Sequence, residues 1–209
     1  MMKTSFYIDG FNLYNRAVIN TQYKWLDLYK VCQGLVPKHQ VTRIRYFTAL
    51  VDPRGDPGRP QRQQIYLRAL WTIPIPFSVH LGYFRPRQKW RPLVSDPTTF
   101  VEVLDTEEKG TDVNIATYML ADAYAGDYEQ AVLISNDADL ALPISFIKEQ
   151  RKLPVGIVNP NLDPNLVMPV ELSKAATFHR QLRPALLWRS QFPPTLTDSQ
   201  GVITKPSAW

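Results

Sequence analysis

The sequence predicts an α/β fold built on a mostly parallel central sheet, and three observations carry that prediction. Short apolar runs, such as Phe6-Tyr7-Ile8 and Val132-Leu133-Ile134, have the length and residue types of buried strands. Stretches with helical spacing separate these runs, as βαβ units require. Two of the apolar runs stop at polar residues and carboxylates, which is where an open parallel sheet places its chemistry.

The elements follow in order. Phe6 to Ile8 forms a strand that ends at the turn signal Asp9-Gly10. Asn12 to Val18 starts a helix. Trp25 to Leu35 gives a second, with Leu28, Val31, Cys32 and Leu35 on one face. Val41 to Val51 is the next strand, and residues 52–59 form an exposed loop rich in Asp, Pro and Gly. Pro60 suits a first helical position, and Ile65, Ala69 and Leu70 give that helix its apolar face. Phe77 to Tyr83 is a strand, Arg85 to Pro97 a basic, proline-interrupted loop, and Phe100 to Leu104 a short edge or antiparallel strand. A helix runs from Thr111, its expected N-cap, to about Ala125. Its buried stripe is Val113, Ala116, Leu120 and Ala123 or Tyr124, and Gly126 stops it. Ala131 to Ile134 is a strand, Asp139 to Gln150 a helix, and Pro154 to Val158 another strand. The pattern then weakens, with a short helix near Asn165 and a strand near Thr177. Residues 1–183 read as one domain. From Pro184 to Trp209 the chain reads as an extended arm, pinned by residues such as Leu186, Leu187, Trp188, Phe192 and Ile203.

Composition bounds the function. The 209 residues include 44% hydrophobic and 21% charged types, an ordinary globular balance. A net charge of +5 leans mildly towards polyanions. A single cysteine, Cys32, excludes an internal disulfide and a cysteine-based zinc cluster, and His39, His80 and His179 fit no ligand spacing. No apolar stretch is long enough for a signal peptide or a membrane span, so the expectation is a cytoplasmic protein without membrane contact. The residues leave the oligomeric state open, a homo-oligomer included.

The acids carry the chemistry. Singly, Asp9 is a turn residue, Asn12 a cap, Asp112 a helix-start acid, and Asp137 or Asp139 a cap between strand and helix. Together they place three or four carboxylates on one side of the sheet. Like charges so placed repel each other, and a divalent cation relieves that cost. Oxygen-only ligands suit Mg²⁺ or Mn²⁺, and such a site fits metal-assisted phosphodiester hydrolysis.

Asp9-Gly10-Phe11-Asn12-Leu13, Lys109-Gly110-Thr111-Asp112-Val113 and Ser135-Asn136-Asp137-Ala138-Asp139-Leu140 occur in this order. The trio resembles the motifs of the NYN domain, in the LabA-like branch of the PIN-like nucleases, over roughly residues 4 to 160. The resemblance implies a three-layer α/β/α sandwich and a metal-dependent ribonuclease site. Asp9, Asp112, Asp137 and Asp139 would bind the metal, and Asn12 and Ser135 would face the scissile phosphate or its water. Two positions depart from the pattern: Tyr118 stands where members carry another acid, and Asn136 where a glycine is common. One ion or two therefore stays open.

Two basic segments bear on substrate. Arg54, Arg59, Arg62 and Arg68 read as solvated surface. Arg85, Arg87, Lys89 and Arg91, interleaved with Tyr83, Phe84 and Trp90, suit single-stranded RNA or an equally ordinary solvated loop. Lys109 can reach a phosphate or pair with Glu107 or Glu108. The expected activity is hydrolysis of single-stranded or structured RNA. The alternatives are a DNA nuclease using the same acids, or a catalytically degenerate module binding RNA or protein.

Overall fold

The computed structural model describes residues 1–163 and 165–209. Among the described residues, seven strands form one sheet: β1 (Lys3–Asp9), β2 (Gln40–Ala49), β3 (Phe77–Pro92), β4 (Phe100–Lys109), β5 (Gln130–Ile134), β6 (Val155–Asn159) and β7 (Phe178–Gln181). Their spatial order is β4-β3-β2-β1-β5-β6-β7, and every pair is parallel except β3–β4. The helices are α1 (Gly10–Leu13), α2 (Leu28–Leu35), α3 (Arg59–Leu70), α4 (Thr111–Ala125), α5 (Ala141–Phe146), α6 (Val170–Ala175) and α7 (Pro184–Arg189). The chain steps from β1 to β2 on one side and later to β5 on the other. This reversal is a topological switch point, and a crevice opens beyond the carboxyl ends of β1 and β5.

Strand alternation divides the core into two layers. Phe6 and Ile8 of β1 pack with Val132 and Ile134 of β5 and with residues of α2 and α3. Tyr7 faces the other way and packs with Leu133, Ile115, Met119 and Ile144. A helical layer therefore covers each face of the sheet, the three-layer sandwich the motifs imply. Among the described residues, no helix is long and apolar enough to cross a membrane.

Several expected boundaries move for identifiable reasons. The second helix starts at Leu28 rather than Trp25, because Asp27 caps it by accepting from the amides of Tyr29 and Lys30. Helix α1 continues as a π-helical turn over Tyr14–Val18. Thr111 lies inside α4, and Gly110 occupies the cap position with φ of 93°, a left-handed conformation that favours glycine. The buried stripe of α4 is Thr111, Ile115, Met119, Asp122 and Ala123, and Val113 is exposed. This register is set by Asp122, whose carboxylate accepts two bonds from Arg45 at 2.7 Å and one from Tyr7 at 2.6 Å. The helix after β5 begins with a 3₁₀ turn at Ala138–Leu140, and the short helix expected near Asn165 lies instead at Val170–Ala175, as α6. Pro164, within the region of that expectation, lies outside the described residues.

The largest difference lies at β3. Residues 85–92, expected as a loop, continue the strand, and β4 pairs with them antiparallel from Tyr83↔Lys109 to Pro92↔Phe100. The pairing of β2 with β3 ends at Ala49↔Gly82, so the rest of β3 and β4 form a two-stranded ribbon. Pro86 is tolerated there because β3 has only one neighbour.

Beyond Pro184 the chain forms α7 and a hairpin, β8 (Thr195–Asp198) with β9 (Gly201–Thr204). Trp25 Nε1 donates to the Pro193 carbonyl at 2.8 Å, and Arg68 makes a two-pronged pair with Asp198. Leu187, Phe192 and Ile203 are buried, whereas Trp188 is exposed.

Candidate active site

Asp9 is the last residue of β1 and caps α1, accepting from the Asn12 amide at 2.9 Å. Its second oxygen accepts from the Ser135 hydroxyl at 2.9 Å. Ile8 and Ile134 are register partners, which brings the ends of β1 and β5 side by side. Ser135 Oγ in turn accepts from the Asp137 amide at 3.2 Å, and Asp137 Oδ1 accepts from the Asp139 amide at 3.0 Å. The Asn12 side-chain carbonyl accepts from the Asn136 amide at 3.2 Å, tying α1 to the loop after β5. Gly10 makes the tight start of α1 possible: a Cβ there would lie 2.6 Å from the Phe47 carbonyl oxygen.

Asp9, Asp112, Asp137 and Glu108 line one cavity of about 270 Å³, together with Asn12, Asn15 and Arg16. Asp9 is almost fully buried. Burial pushes its carboxyl up to about 6, with Asp137 and Glu108 adding to the rise against the hydrogen bonds from Asn12 and Ser135. Asp112 is likewise pushed up to about 6, by burial first and then by Asp137, Asp9, Glu108 and Asp139. Arg16 is the cation on this wall, and among the described residues it pairs with no carboxylate. The carboxylates surround the space without closing on it: among the described residues, no three His, Cys, Asp or Glu side chains form a ready-made metal cage.

The comparisons bear on this arrangement. The NYN domain model matches residues 3–179. The chain belongs to the NYN domain family. The match covers most of the chain, starts and ends beyond the region the motifs mark, and gives it a nuclease-like fold. A protein of unknown function from Vibrio parahaemolyticus shares the fold, with a TM-score of 0.56, 16% identity, and coverage of 87% of this chain and 93% of that one. The 6-hydroxy-3-succinoylpyridine 3-monooxygenase HspA of Pseudomonas putida is 28% identical over 100% of this chain and 75% of its own length.

Within this NYN domain the expected site residues separate into groups. Asp9, Asn12, Asp112 and Asp137 meet in the cavity. Asp139 is exposed and stands outside the lining, although its charge reaches Asp112. Ser135, expected to face substrate, is fully buried and holds Asp9 and Asp137 in place. Lys109 pairs with Glu107 at 3.0 Å and is also absent from the lining.

Strand alternation sorts the ribbon. Arg85, Arg87, Lys89 and Arg91 share one face of β3 with Glu107 and Asp105 of β4, and Lys89 and Arg91 are spent on those acids. Trp90 lies on the opposite face with Phe84 and Glu108. That second face adjoins the cavity, because Glu108 lines it and Phe84 packs edge-on against Phe11 at 5.3 Å. The basic residues and Trp90 therefore do not form one surface.

Glu108, Asn15 and Arg16 were not among the expected site residues. Glu107 and Glu108 are adjacent in a strand, so one of them had to face the site, and the unrecognised strand hid that signal. Glu108 is held there by the Thr111 hydroxyl and amide. Tyr118, at the departure from the family pattern, packs on His80 with a ring separation of 3.9 Å and under Arg45 at 4.6 Å.

Proposed function

We propose that this NYN domain is a divalent-metal-dependent ribonuclease. The observation that carries the reading is the convergence of Asp9, Glu108, Asp112 and Asp137 on one cavity at the switch point of a nuclease-like fold. The donor set fits a hard divalent cation. It is oxygen-only, and its two raised carboxyls reflect both burial and crowding of like charge, which a cation relieves. Asp9, Asp112 and Asp137 would hold Mg²⁺ or Mn²⁺, with Glu108 beside them and Asp139 at the rim. Such an ion supplies Lewis acidity that lowers the pKa of water and offsets charge on a phosphate.

The chain's own residues supply the rest. Asn12 and Arg16 present an amide and a guanidinium to a phosphate entering the cavity. Ser135 fixes the orientation of Asp9, and the 3₁₀ turn fixes Asp137. RNA is the proposed partner, and single-stranded RNA reaches the cavity along the Phe84–Trp90 face of the ribbon.

The test is cleavage of end-labelled RNA and DNA of one sequence with Mg²⁺ or Mn²⁺. Asp9→Asn and Asp112→Asn are each expected to lower the rate by at least about a hundredfold. Cleavage that survives both substitutions, or that is equal in EDTA, refutes the assignment. A second reading comes from the relative named as a monooxygenase, which aligns along this whole chain. Under that reading, one oxygen atom of dioxygen would go to carbon 3 of a 6-hydroxy-3-succinoylpyridine-like substrate, the carbon that bears the acyl group, and an external two-electron donor would reduce the other atom to water. Consumption of dioxygen together with 6-hydroxy-3-succinoylpyridine, with no strand scission, selects it over the nuclease.

A further inference from the structure

Helix α1 and the turn after it divide two cavities. Asn12, Asn15 and Arg16 face the acidic one, while Leu13, Tyr14 and Val18 face a larger one of about 760 Å³. Phe11 lines both. The larger cavity has an aromatic wall formed by Phe11, Tyr14, Tyr46, Tyr66 and Trp209. The Tyr66 and Trp209 rings meet edge to face at 5.9 Å, and the Tyr66 hydroxyl is fixed on the Leu26 carbonyl at 2.8 Å. The same lining carries Lys24, Arg54, Arg59 and Arg62 and, among the described residues, one carboxylate, Asp56; Arg59, Arg62 and Tyr66 all come from α3. Arg62 pairs with Asp56, and Arg54 with Asp52. Among the described residues, Lys24 and Arg59 pair with no carboxylate. Three of the arginines expected on solvated surface border this aromatic-lined cavity, and Arg54 and Arg59 are exposed to solvent as well.

We propose that this cavity binds a planar heteroaromatic ring bearing an anionic group. Its volume lies within the range of ligand pockets, about 300–1,000 Å³. The aromatic wall offers faces and edges for stacking. Lys24 and Arg59 supply uncompensated positive charge for a phosphate or carboxylate. The shared Phe11 wall puts a ring bound here next to the acids. Two sources have this chemistry: a nucleotide of a strand whose next phosphate enters the acidic cavity, or a free heteroaromatic acid. The first deepens the ribonuclease reading, and the site itself is tested without cleavage.

The experiment is isothermal titration calorimetry in EDTA, so that binding is read apart from catalysis. Adenosine 5′-monophosphate is expected to bind with a dissociation constant below about 1 mM, and adenosine or inorganic phosphate alone about tenfold more weakly. The double variant Lys24→Gln/Arg59→Gln should weaken the monophosphate about tenfold while leaving adenosine unchanged. Trp209→Ala should weaken both, with its fold checked by circular dichroism. A pentaadenylate that binds more tightly than the monophosphate identifies the strand as the source. Nicotinate that binds as tightly as the monophosphate, with the pentamer weaker, identifies a free acid. Inorganic phosphate binding as tightly as the monophosphate, unchanged affinity in the double variant, or no heat at millimolar ligand each overturns the proposal. Binding without cleavage would leave this site standing and remove the nuclease, and cleavage without binding would do the reverse.

Discussion

Replacing Asp9 with asparagine should stabilise the metal-free protein while removing its activity. The carboxyl is raised from 3.8 to about 6, chiefly by burial. A rise of this size means that ionising Asp9 in the folded state costs about 3 kcal/mol of stability. The sign follows from linkage. Because the folded state holds the proton more tightly, the full contribution is present below pH 3.8 and is lost as pH rises through about 6. Asparagine carries no charge at any pH and keeps one carbonyl oxygen for the Asn12 amide. It replaces the bond from Ser135 with a weaker one, at about 1 kcal/mol. The expected net gain at pH 7 is about 2 kcal/mol, or a rise of about 4–8 °C in Tm for a chain of this size. Thermal and urea unfolding of wild type and Asp9→Asn in EDTA, at pH steps from 4 to 8, reads the effect. The gain should be absent near pH 4 and complete by pH 7. An Asp9→Asn variant less stable than wild type at pH 7, or a gain equal at both ends, refutes the claim that Asp9 is held ionised at a cost.

Saturating Mn²⁺ should raise the Tm of wild type and should raise that of Asp112→Asn by less than half as much, measured by scanning fluorimetry. Asp122→Ala should cost about 3–5 kcal/mol in urea unfolding, because it strands Arg45, whose side chain is 15% exposed and bonded to both oxygens of Asp122. Burial raises the Asp122 carboxyl, but the bonds from Arg45 and Tyr7 outweigh it and hold it below its ordinary value. This contribution is therefore present above the ordinary pKa and is lost in acid. Gly10→Ala should lower stability by about 2 kcal/mol or more and reduce cleavage, since its Cβ would meet the backbone oxygen of Phe47 and shift Asn12. An unchanged melting curve for Gly10→Ala would contradict that close approach.

The legible part of this protein was whatever short-range pattern dictates. Apolar runs of strand length placed β1, β2, β5 and β6, and the acids at their ends placed Asp9 and Asp137 at the switch point. The order of three motifs led to the family, and the family model covers residues 3–179. What stayed hidden depends on partners distant in the chain. The ribbon was missed because Pro86 and a run of charges break the alternation, and only pairing with β4 makes residues 85–92 a strand. That pairing set Glu108 towards the cavity and turned the four basic residues away from it. The register of α4 was decided by Arg45, a residue 77 positions away, because a buried carboxylate must be paired.

The sequence by itself therefore determined the fold class, the parallel order implied by βαβ units, and the acids at the strand ends. Only the tertiary structure decided which face each polar residue occupies. It made Ser135 a support for Asp9, spent Lys89, Arg91 and Lys109 on ion pairs, and set Arg54, Arg59 and Arg62 around the same cavity as Trp209. The physical reason is that apolar burial follows local periodicity. The placement of a charge follows its nearest partner, which for Arg68–Asp198 lies 130 residues away.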